Sequence, residues 1–268
     1  MKLELYQVDA FSSRLFGGNP AAVVPLFEWL SDDLLSGIAQ ENNLSETAFF
    51  VKRGEYYELR WFTPCGEVDL CGHATLAAAH VLFEQLGYQD QCIVFATRSG
   101  RLFVDRDQGC VLSMDFPSWP AKPFQVTERV QRALGARPDE LYFYQDFMAV
   151  FESEEQIRTL SPDMERIAEL DGLSMIVTAP SEEYDFVSRV FAPSVGIPED
   201  PVTGSAHCTL VPYWADRLNK SELRAYQVSK RGGELLCRHM GDRVKIAGPA
   251  VLYLKGTIYL EHEESCHT

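Results

Sequence analysis

Residues that can hold and move protons occur close together at two places in this sequence. At the first place His73 follows Gly72, and at the second place Ser205 follows Gly204, with Asp200 just upstream. Imidazole, hydroxyl and carboxylate groups are side chains that can take part in acid–base catalysis or polarise a substrate. The two places are therefore predicted to carry proton-transfer chemistry.

Each of the two glycines stands at the start of a predicted apolar helix. Free backbone N–H groups and the positive end of the helix dipole attract anions there, and glycine lets a ligand approach the backbone closely. A substrate carboxylate, or an enolate formed during a reaction, suits such a position. Gly72 and Gly204 are therefore predicted to contact the substrate.

The chemistry also needs a general base, for which Glu46 is the candidate. It stands just before the apolar stretch Thr47–Phe50. Burial beside other acids brings the pKa of a glutamate toward neutral pH, where a general base works. Each candidate also has a structural explanation, because polar residues often end strands, fill first turns and cap helices.

The two places belong to an internal repeat. Phe62–Pro64 precedes the first and Phe191–Pro193 precedes the second, and in both an acidic loop, a glycine and an apolar helix follow in the same order. The offset is 129 residues between the phenylalanines (62 and 191) and 132 between the glycines (72 and 204). This order predicts a duplicated domain. The two helix starts are expected to face one another across a cleft, where small-ligand sites are common.

Cap, turn and periodicity signals predict short strands and a few helices. The predicted helices are a Ser31-capped helix ending near residue 42 and helices at 74–86, 127–134, 162–170 and 205–218. The predicted strands are 3–11, 47–52, 56–62, 93–96, 101–105, 111–116, 173–179, 185–191 and a returning C-terminal strand at 253–261. Residues 16–20 are predicted to form a loop.

Clustered prolines make Phe116–Pro123 the predicted linker between two domains. The first domain is predicted to comprise residues 1–116, joined by the C-terminal strand 256–268, and the second residues 117–255.

Composition narrows the classes of partner. The chain of 268 residues is 46% apolar and carries 39 acidic and 24 basic residues, for a net charge of −15. Such a charge repels phosphate backbones and anionic lipids, so nucleic acid and membrane surfaces are not expected partners. With no predicted spanning segment or signal peptide, a cytoplasmic protein acting on a small molecule is expected.

Seven scattered cysteines are expected to be free thiols. Cys65, Cys71, His73 and His80 are possible zinc ligands that lie close together in the sequence, but their spacing does not match that of the usual structural zinc site. No metal is therefore expected. Cys71, one residue before the helix glycine, is at a position where the pKa of a thiol can be lowered.

Five stretches in consecutive order resemble the PhzF family of phenazine-biosynthesis isomerases. They are Gln7–Phe11 with Gly18–Ala21, Leu44–Thr47, Gly66–Thr75, Asp200–Ala206 and Gln227–Gly233. The resemblance implies the diaminopimelate-epimerase-like α+β fold. In that fold two pseudo-symmetric domains each wrap a mixed, mostly antiparallel sheet around a central buried helix.

The resemblance also implies a cofactor-independent isomerase that acts as a homodimer. By position, Glu46 is the acid/base residue, while His73, Asp200 and Ser205 hold and polarise the substrate. The phenazine enzyme itself moves a proton along a dihydro-hydroxyanthranilic acid. The other predicted substrate-binding residues are Asn19, Cys71, Gly72, Thr203 and Gly204.

Three alternatives remain open from the sequence. A racemase or epimerase of amino acids uses two bases, usually cysteines, but Thr203 stands at the matching place in the second half, and Cys208 lies about one turn deeper. A dehydratase could use Cys71 with Thr203. A binding protein without catalysis is the third alternative, because fold does not dictate function.

Overall fold

The computed structural model describes residues 1–107 and 111–260. Contacts divide the chain into two compact units. The first unit comprises residues 1–15, 20–112 and those from Pro249 onward, and the second comprises residues 16–19 and 113–248. The boundaries at 112/113 and 248/249 differ from the predicted 116/117 and 255/256. One reason is that a single long strand, rather than a loop, leads from the second unit into the first.

The first unit is a mixed sheet with two helices. In chain order its elements are β1 (Lys2–Ala10), β2 (Asn19–Leu26), α1 (Asp32–Asn42), β3 (Glu46–Arg53), β4 (Tyr56–Thr63), β5 (Gly66–Val68), α2 (Gly72–His80), β6 (Cys92–Thr97) and β7 (Gly100–Arg106). A π-helical turn, Val81–Gln85, continues α2. The predicted loop 16–20 therefore ends earlier than expected, because Asn19 and Pro20 already belong to β2.

Most of the second unit follows β8 (Val111–Pro117) in the chain. Its elements are β9 (Lys122–Phe124), α3 (Glu128–Leu134), β10 (Glu140–Phe143), β11 (Phe147–Val150), α4 (Glu154–Thr159), α5 (Met164–Ala168), β12 (Met175–Pro180), β13 (Phe186–Ala192), β14 (Ile197–Asp200), α6 (His207–Leu218), β15 (Glu222–Gln227), β16 (Gly233–His239) and the start of β17 (Arg243–Tyr259). The later part of β17 pairs antiparallel with β1, from Lys2 opposite Tyr259 to Ala10 opposite Ala250. This agrees with the predicted returning strand, whose last residue, Glu261, lies outside the described residues.

The same order of strand pairing occurs in both units. In the first, β3, β4 and β5 pair antiparallel in sequence, α2 follows, and β6 then pairs parallel with β4 and antiparallel with β7. In the second, β12, β13 and β14 pair antiparallel, α6 follows, and β15 pairs parallel with β13 and antiparallel with β16. A parallel neighbour needs a crossover connection, and here a helix lies within each crossover.

The helix at the first crossover is buried along its whole length. All nine residues of α2, Gly72–His80, are buried. An alanine-rich segment that is apolar on nearly every side can pack in this way. The sequence therefore places the start of α2, and with it His73, inside the first unit.

The helix at the second crossover begins at His207 and not at Ser205 as predicted. The amides of His207 and Cys208 donate to the carbonyls of Gly204 and Ser205, each three residues back. Such bonds define a tighter 3₁₀-type turn, which commonly precedes an α-helix. Gly204 and Ser205 therefore lie in a turn ahead of the helix.

Helix α6 also contains a proline, whose missing N–H changes the bonding around it. Pro212 cannot donate to the carbonyl of Cys208, four residues earlier. The amide of Trp119 donates to that carbonyl instead, at an N to O distance of 2.9 Å. Part of the predicted linker is thus hydrogen-bonded to α6, and its ends belong to β8 and β9.

No helix among the described residues is both long and apolar enough to cross a bilayer.

Candidate active site

The first unit brings together two of the predicted catalytic side chains. Glu46 is the first residue of β3 and His73 is the second residue of α2. A carboxylate oxygen, Oε2, of Glu46 lies 3.1 Å from Nε2 of His73. The exposed fractions of the two side chains are 12% and 6%, so the ion pair has little contact with water. An ion pair shielded in this way is stronger than one on the surface.

Local structure fixes both partners of the pair. Glu46 lies opposite Ala21 in the parallel pairing of β2 with β3. His73 is held by the start of α2, where Cys71 adopts an extended N-cap conformation with φ −145° and ψ 111°. The hydroxyl of Thr75 donates to the carbonyl of Cys71 at 2.6 Å, which fixes the first turn.

Cys71 lies on the other side of the same imidazole ring. Its Sγ is 3.5 Å from Nδ1 of His73, within hydrogen-bonding distance for sulfur. The ring of His73 therefore bridges a thiol and the carboxylate of Glu46. Gly72, between the two residues in sequence, is buried at the start of the helix.

The expectation of a lowered thiol pKa at Cys71 is wrong. Burial, with a smaller contribution from the charge of Glu46, raises the pKa of Cys71 to about 11. Loss of hydration disfavours the thiolate more than the nearby imidazole and backbone N–H groups favour it. Cys71 is therefore a neutral thiol at physiological pH.

His73 is the charged partner of this cluster. Burial by itself lowers the pKa of an imidazole, but the negative charge of Glu46 and the hydrogen bonds to Glu46 and Cys71 act in the opposite direction, and the pKa of His73 lies well above the usual value. A protonated ring carries an N–H at both nitrogens. One N–H can thus face the carboxylate while the other faces the sulfur.

The second unit brings together a different set of predicted residues. The amide of Asn19 donates to Oδ1 of Asp200 at 2.7 Å and to the carbonyl of Val202 at 2.9 Å. The hydroxyl of Thr203 donates to Oδ2 of Asp200. Both carboxylate oxygens of Asp200 therefore accept bonds from predicted substrate-binding residues, which fixes the orientation of the carboxylate.

Gln227, which was not among the predicted site residues, holds the loop that carries Asp200 and Thr203 by hydrogen bonds to its backbone. Its amide nitrogen donates to the carbonyl of Asp200 at 2.7 Å, and its amide oxygen accepts the N–H of Thr203 at 2.9 Å. The only signal in the sequence was its position at the start of the last matching stretch, Gln227–Gly233.

Arg231 fixes the short segment that carries Asn19. Its guanidinium donates to the carbonyls of Gly17 and Gly18 at 2.9 and 2.8 Å, and the amide of Gly18 donates to the carbonyl of Gly232 at 2.7 Å. These bonds explain why residues 16–19 belong to the second unit although they are near the N-terminus.

The turn before α6 holds the remaining predicted residues. Gly204 is buried and Ser205 half-buried. His207 is the first residue of α6, and its Nδ1 lies 2.8 Å from the carbonyl oxygen of Thr203. Glu46, Cys71 and His73 are thus together in one unit, and Asn19, Asp200 and Thr203 in the other. That both groups line one substrate site stays a prediction.

Other thiols and cavities offer less chemistry. The five cysteines of the described ranges are free, as expected, while Cys110 and Cys266 lie outside those ranges. A surface cavity of about 440 Å³ in the second unit is lined by residues of the α3 to α5 region. That lining contains no carboxylate, imidazole or thiol.

Known proteins resemble the chain over nearly its full length. The family model "Phenazine biosynthesis-like protein" (PhzC-PhzF) matches residues 8–256. An isomerase of Pseudomonas aeruginosa is 53% identical over 261 residues, covering 97% of this chain and 100% of the relative. A crystal structure of a PhzF family protein of Enterococcus faecalis is similar with a TM-score of 0.95 and 46% identity, covering 97% of this chain and 100% of that one.

A more distant structure shares the fold alone. A hydroxyproline epimerase of Agrobacterium vitis has a TM-score of 0.62 at 10% identity, covering 98% of this chain and 94% of that one. Together with the mixed sheet and few helices, this places the chain in the epimerase-like α+β fold. The chain belongs to the phenazine biosynthesis-like (PhzC-PhzF) family, and, like its relatives in that family, it is an isomerase.

Proposed function

We propose that this isomerase transfers a proton within a small carboxylic-acid substrate, without a cofactor, and that Glu46 is the acid/base group. The observation that carries the proposal is the shielded pair of Glu46 and His73 at the start of α2, 3.1 Å apart. A carboxylate in this position can remove a proton from carbon and return it to another carbon on the same face.

The residues around Glu46 support this chemistry. The imidazolium of His73 stabilises the carboxylate of Glu46 before it takes the proton and after it has returned it; between the two transfers Glu46 is the neutral acid that carries the proton. The negative charge that develops on the substrate is stabilised by backbone N–H groups at the start of α2, where Gly72 lies, and in the turn before α6, where Gly204 lies. Asp200 and Ser205 then orient the substrate, with the carboxylate of Asp200 held in place by Asn19 and Thr203.

A two-thiol racemase receives less support from the second unit. Cys208 is fully buried in α6, and burial raises its pKa to about 12. The hydroxyl of Thr203, at the place that matches Cys71, already donates to Asp200. A dehydratase or one-thiol epimerase using Cys71 remains the second candidate, because that thiol touches the ring of His73.

Exchange of hydrogen for deuterium from solvent tests the proposal. Wild-type protein is incubated in D₂O with a panel of small cyclic and acyclic amino and hydroxy acids, and incorporation is followed by mass spectrometry. Glu46→Gln is expected to lower the exchange rate by roughly 10²–10⁴-fold, the usual contribution of a general acid/base. Cys71→Ala reduces exchange strongly only if the thiol is the base.

The matched control is Glu41→Gln, which removes an exposed carboxylate from α1. It is expected to leave exchange unchanged. Equal exchange in wild type and Glu46→Gln, or none with any acid that the protein binds, contradicts the proposal and favours a binding protein without catalysis. The homodimer implied by the family is tested separately by light scattering, where a monomer mass argues against it.

A further inference from the structure

The cluster at the start of α2 has a composition that acid–base catalysis alone does not require. One ligand-type atom from each of Glu46, Cys71 and His73 lies within 4.8 Å of the other two. A thiol, an imidazole and a carboxylate are the three kinds of side chain that bind zinc in proteins. No other group of three His, Cys, Asp or Glu residues within the described ranges is as close.

The spacing of the sulfur and the ring fits a shared ion. Ligands at about 2.3 Å (sulfur) and 2.0–2.1 Å (nitrogen) from a tetrahedral zinc ion are about 3.5 Å from one another. Sγ of Cys71 and Nδ1 of His73 are 3.5 Å apart. Glu46 faces Nε2 of the ring, and one of its oxygens lies within 4.8 Å of a ligand atom of both Cys71 and His73.

The surroundings also favour a bound cation. The side chains of Glu46 and His73 are 12% and 6% exposed, and Cys71 is buried. A carboxylate and a thiolate in such a shielded place are stabilised by a neighbouring positive charge. When the ion binds, the thiol of Cys71 and the nitrogen of His73 that takes the metal each release a proton to the buffer.

We propose that Cys71, His73 and Glu46 form a zinc-binding site, with the ion held by one thiolate sulfur, one imidazole nitrogen and one carboxylate oxygen. Three protein ligands leave a fourth position for water or another small ligand. The ion occupies lone pairs of the proposed acid/base group, so zinc is an inhibitor of proton transfer at this site and not a cofactor. This role goes beyond the proposed function, and the binding test below needs no substrate.

The test is a competition titration of zinc between the metal-stripped full-length protein and a chromophoric chelator. The C-terminal residues His262, Cys266 and His267 are other potential ligands, so the background carries His262→Ala, Cys266→Ser and His267→Ala. One zinc ion per chain is expected. Cys71→Ser and His73→Gln are each expected to weaken binding more than about 100-fold, because even outer-shell changes at zinc sites cost about 10–100-fold.

Two matched controls remove a thiol and an imidazole elsewhere. Cys65→Ser, at an exposed cysteine, and His239→Gln, at a half-buried histidine, are expected to leave zinc affinity unchanged. Cobalt(II) provides a second measurement that does not depend on how well a variant folds. Cobalt bound to the background protein is expected to give a thiolate-to-metal charge-transfer band.

Each possible result of these experiments either overturns or supports the zinc site. Failure of the background protein to compete for zinc, absence of the cobalt band, or unchanged affinity in a folded Cys71→Ser variant overturns the site. Zinc binding with loss in Cys71→Ser supports the site even if Glu46→Gln leaves deuterium exchange unchanged, so the two proposals fail independently.

Discussion

Nε2 of His73 and Oε2 of Glu46 are 3.1 Å apart, although the two residues belong to a helix start and a strand start that are 27 positions apart in sequence (46 and 73). The carboxylate is one cause of the raised pKa of His73. The charge state of the His73 ring therefore depends on its distant partner in the sequence.

Removal of the carboxylate is expected to lower the pKa of His73. In Glu46→Gln the ring loses a nearby negative charge, while burial continues to disfavour the imidazolium. The measurement is a titration of the ring carbon-bound protons by NMR in wild type and variant. Glu41→Gln serves as control, and an unchanged pKa in Glu46→Gln argues against the ion pair.

His207 is expected to make the folded protein less stable in acid. Burial lowers the pKa of His207 to about 4, although a bond to the carbonyl of Thr203 acts in the opposite direction. The unfolded chain takes up a proton near the ordinary pKa of about 6.5, while the folded protein does not until about pH 4. This contribution is therefore complete above pH 6.5 and is lost as the pH falls toward 4.

The loss attributable to His207 is roughly 3 kcal/mol over that range. It is measured as the free energy of unfolding in urea at several pH values, in wild type and His207→Gln. The variant is expected to have a flatter pH dependence between 6.5 and 4. Identical slopes contradict a neutral buried ring. Gln91→Ala, at an exposed residue that does not titrate, is the control and is expected to keep the wild-type slope.

Gln227→Ala is expected to loosen the loop that carries Asp200 and Thr203. Gln227 is fully buried and bonds the carbonyl of one residue and the amide of the other. Leaving these buried groups without partners costs about 1–3 kcal/mol in the free energy of unfolding. Denaturant unfolding measures the change, and Gln91→Ala, at an exposed glutamine, is expected to change it little.

Gly232→Ala is expected to destabilise the second unit through a steric clash. Gly232 has a positive φ of 67°, and a Cβ there overlaps the hydroxyl of Tyr226. Gly54 has a similar φ of 62° but open space around it, so Gly54→Ala measures the backbone cost alone. The difference between the two variants in thermal or urea unfolding is expected to be about 1–3 kcal/mol. Tyr226→Phe is expected to recover part of it, and equal losses in both glycine variants rule out the clash.

The starts of the helices α1 and α3 could be predicted from the sequence, because each depends on a capping residue next to it in the chain. Ser31 caps α1, as expected from its short hydroxyl and the acids that follow it. The capped helix α3 starts one residue after the predicted Thr127, which is its N-cap. Strands β5 and β9 were missed because they carry too few residues for a period to be recognised, and the longer strands β2, β15 and β16 were missed as well.

Long-range partners could not be predicted from the sequence. The bond of Arg231 to Gly18 joins residues 213 positions apart. The prediction of a lowered pKa for Cys71 was wrong, because a sequence shows that the residue stands at a helix start but not how deeply it is buried. The candidate acid/base residues were chosen from their types, the internal repeat and the ordered matching stretches, and their roles stay a prediction. Their grouping within each unit required the structure.

The proline in α6 allows the segment after β8 to be hydrogen-bonded to that helix. Between Pro117 and Pro120 only Ser118 and Trp119 have amide protons, and these bind the carbonyls of Asp242 and Cys208. The stretch from Pro117 to Pro120, which we call the strap, is therefore held by hydrogen bonds at both of its amides and does not act as a hinge. Pro212→Ala would supply a rival donor for the carbonyl of Cys208, so a change that favours the helix would release the strap. The hydrogen bond that Pro212 removes from α6 is thus replaced by one that holds the segment after β8 against the helix.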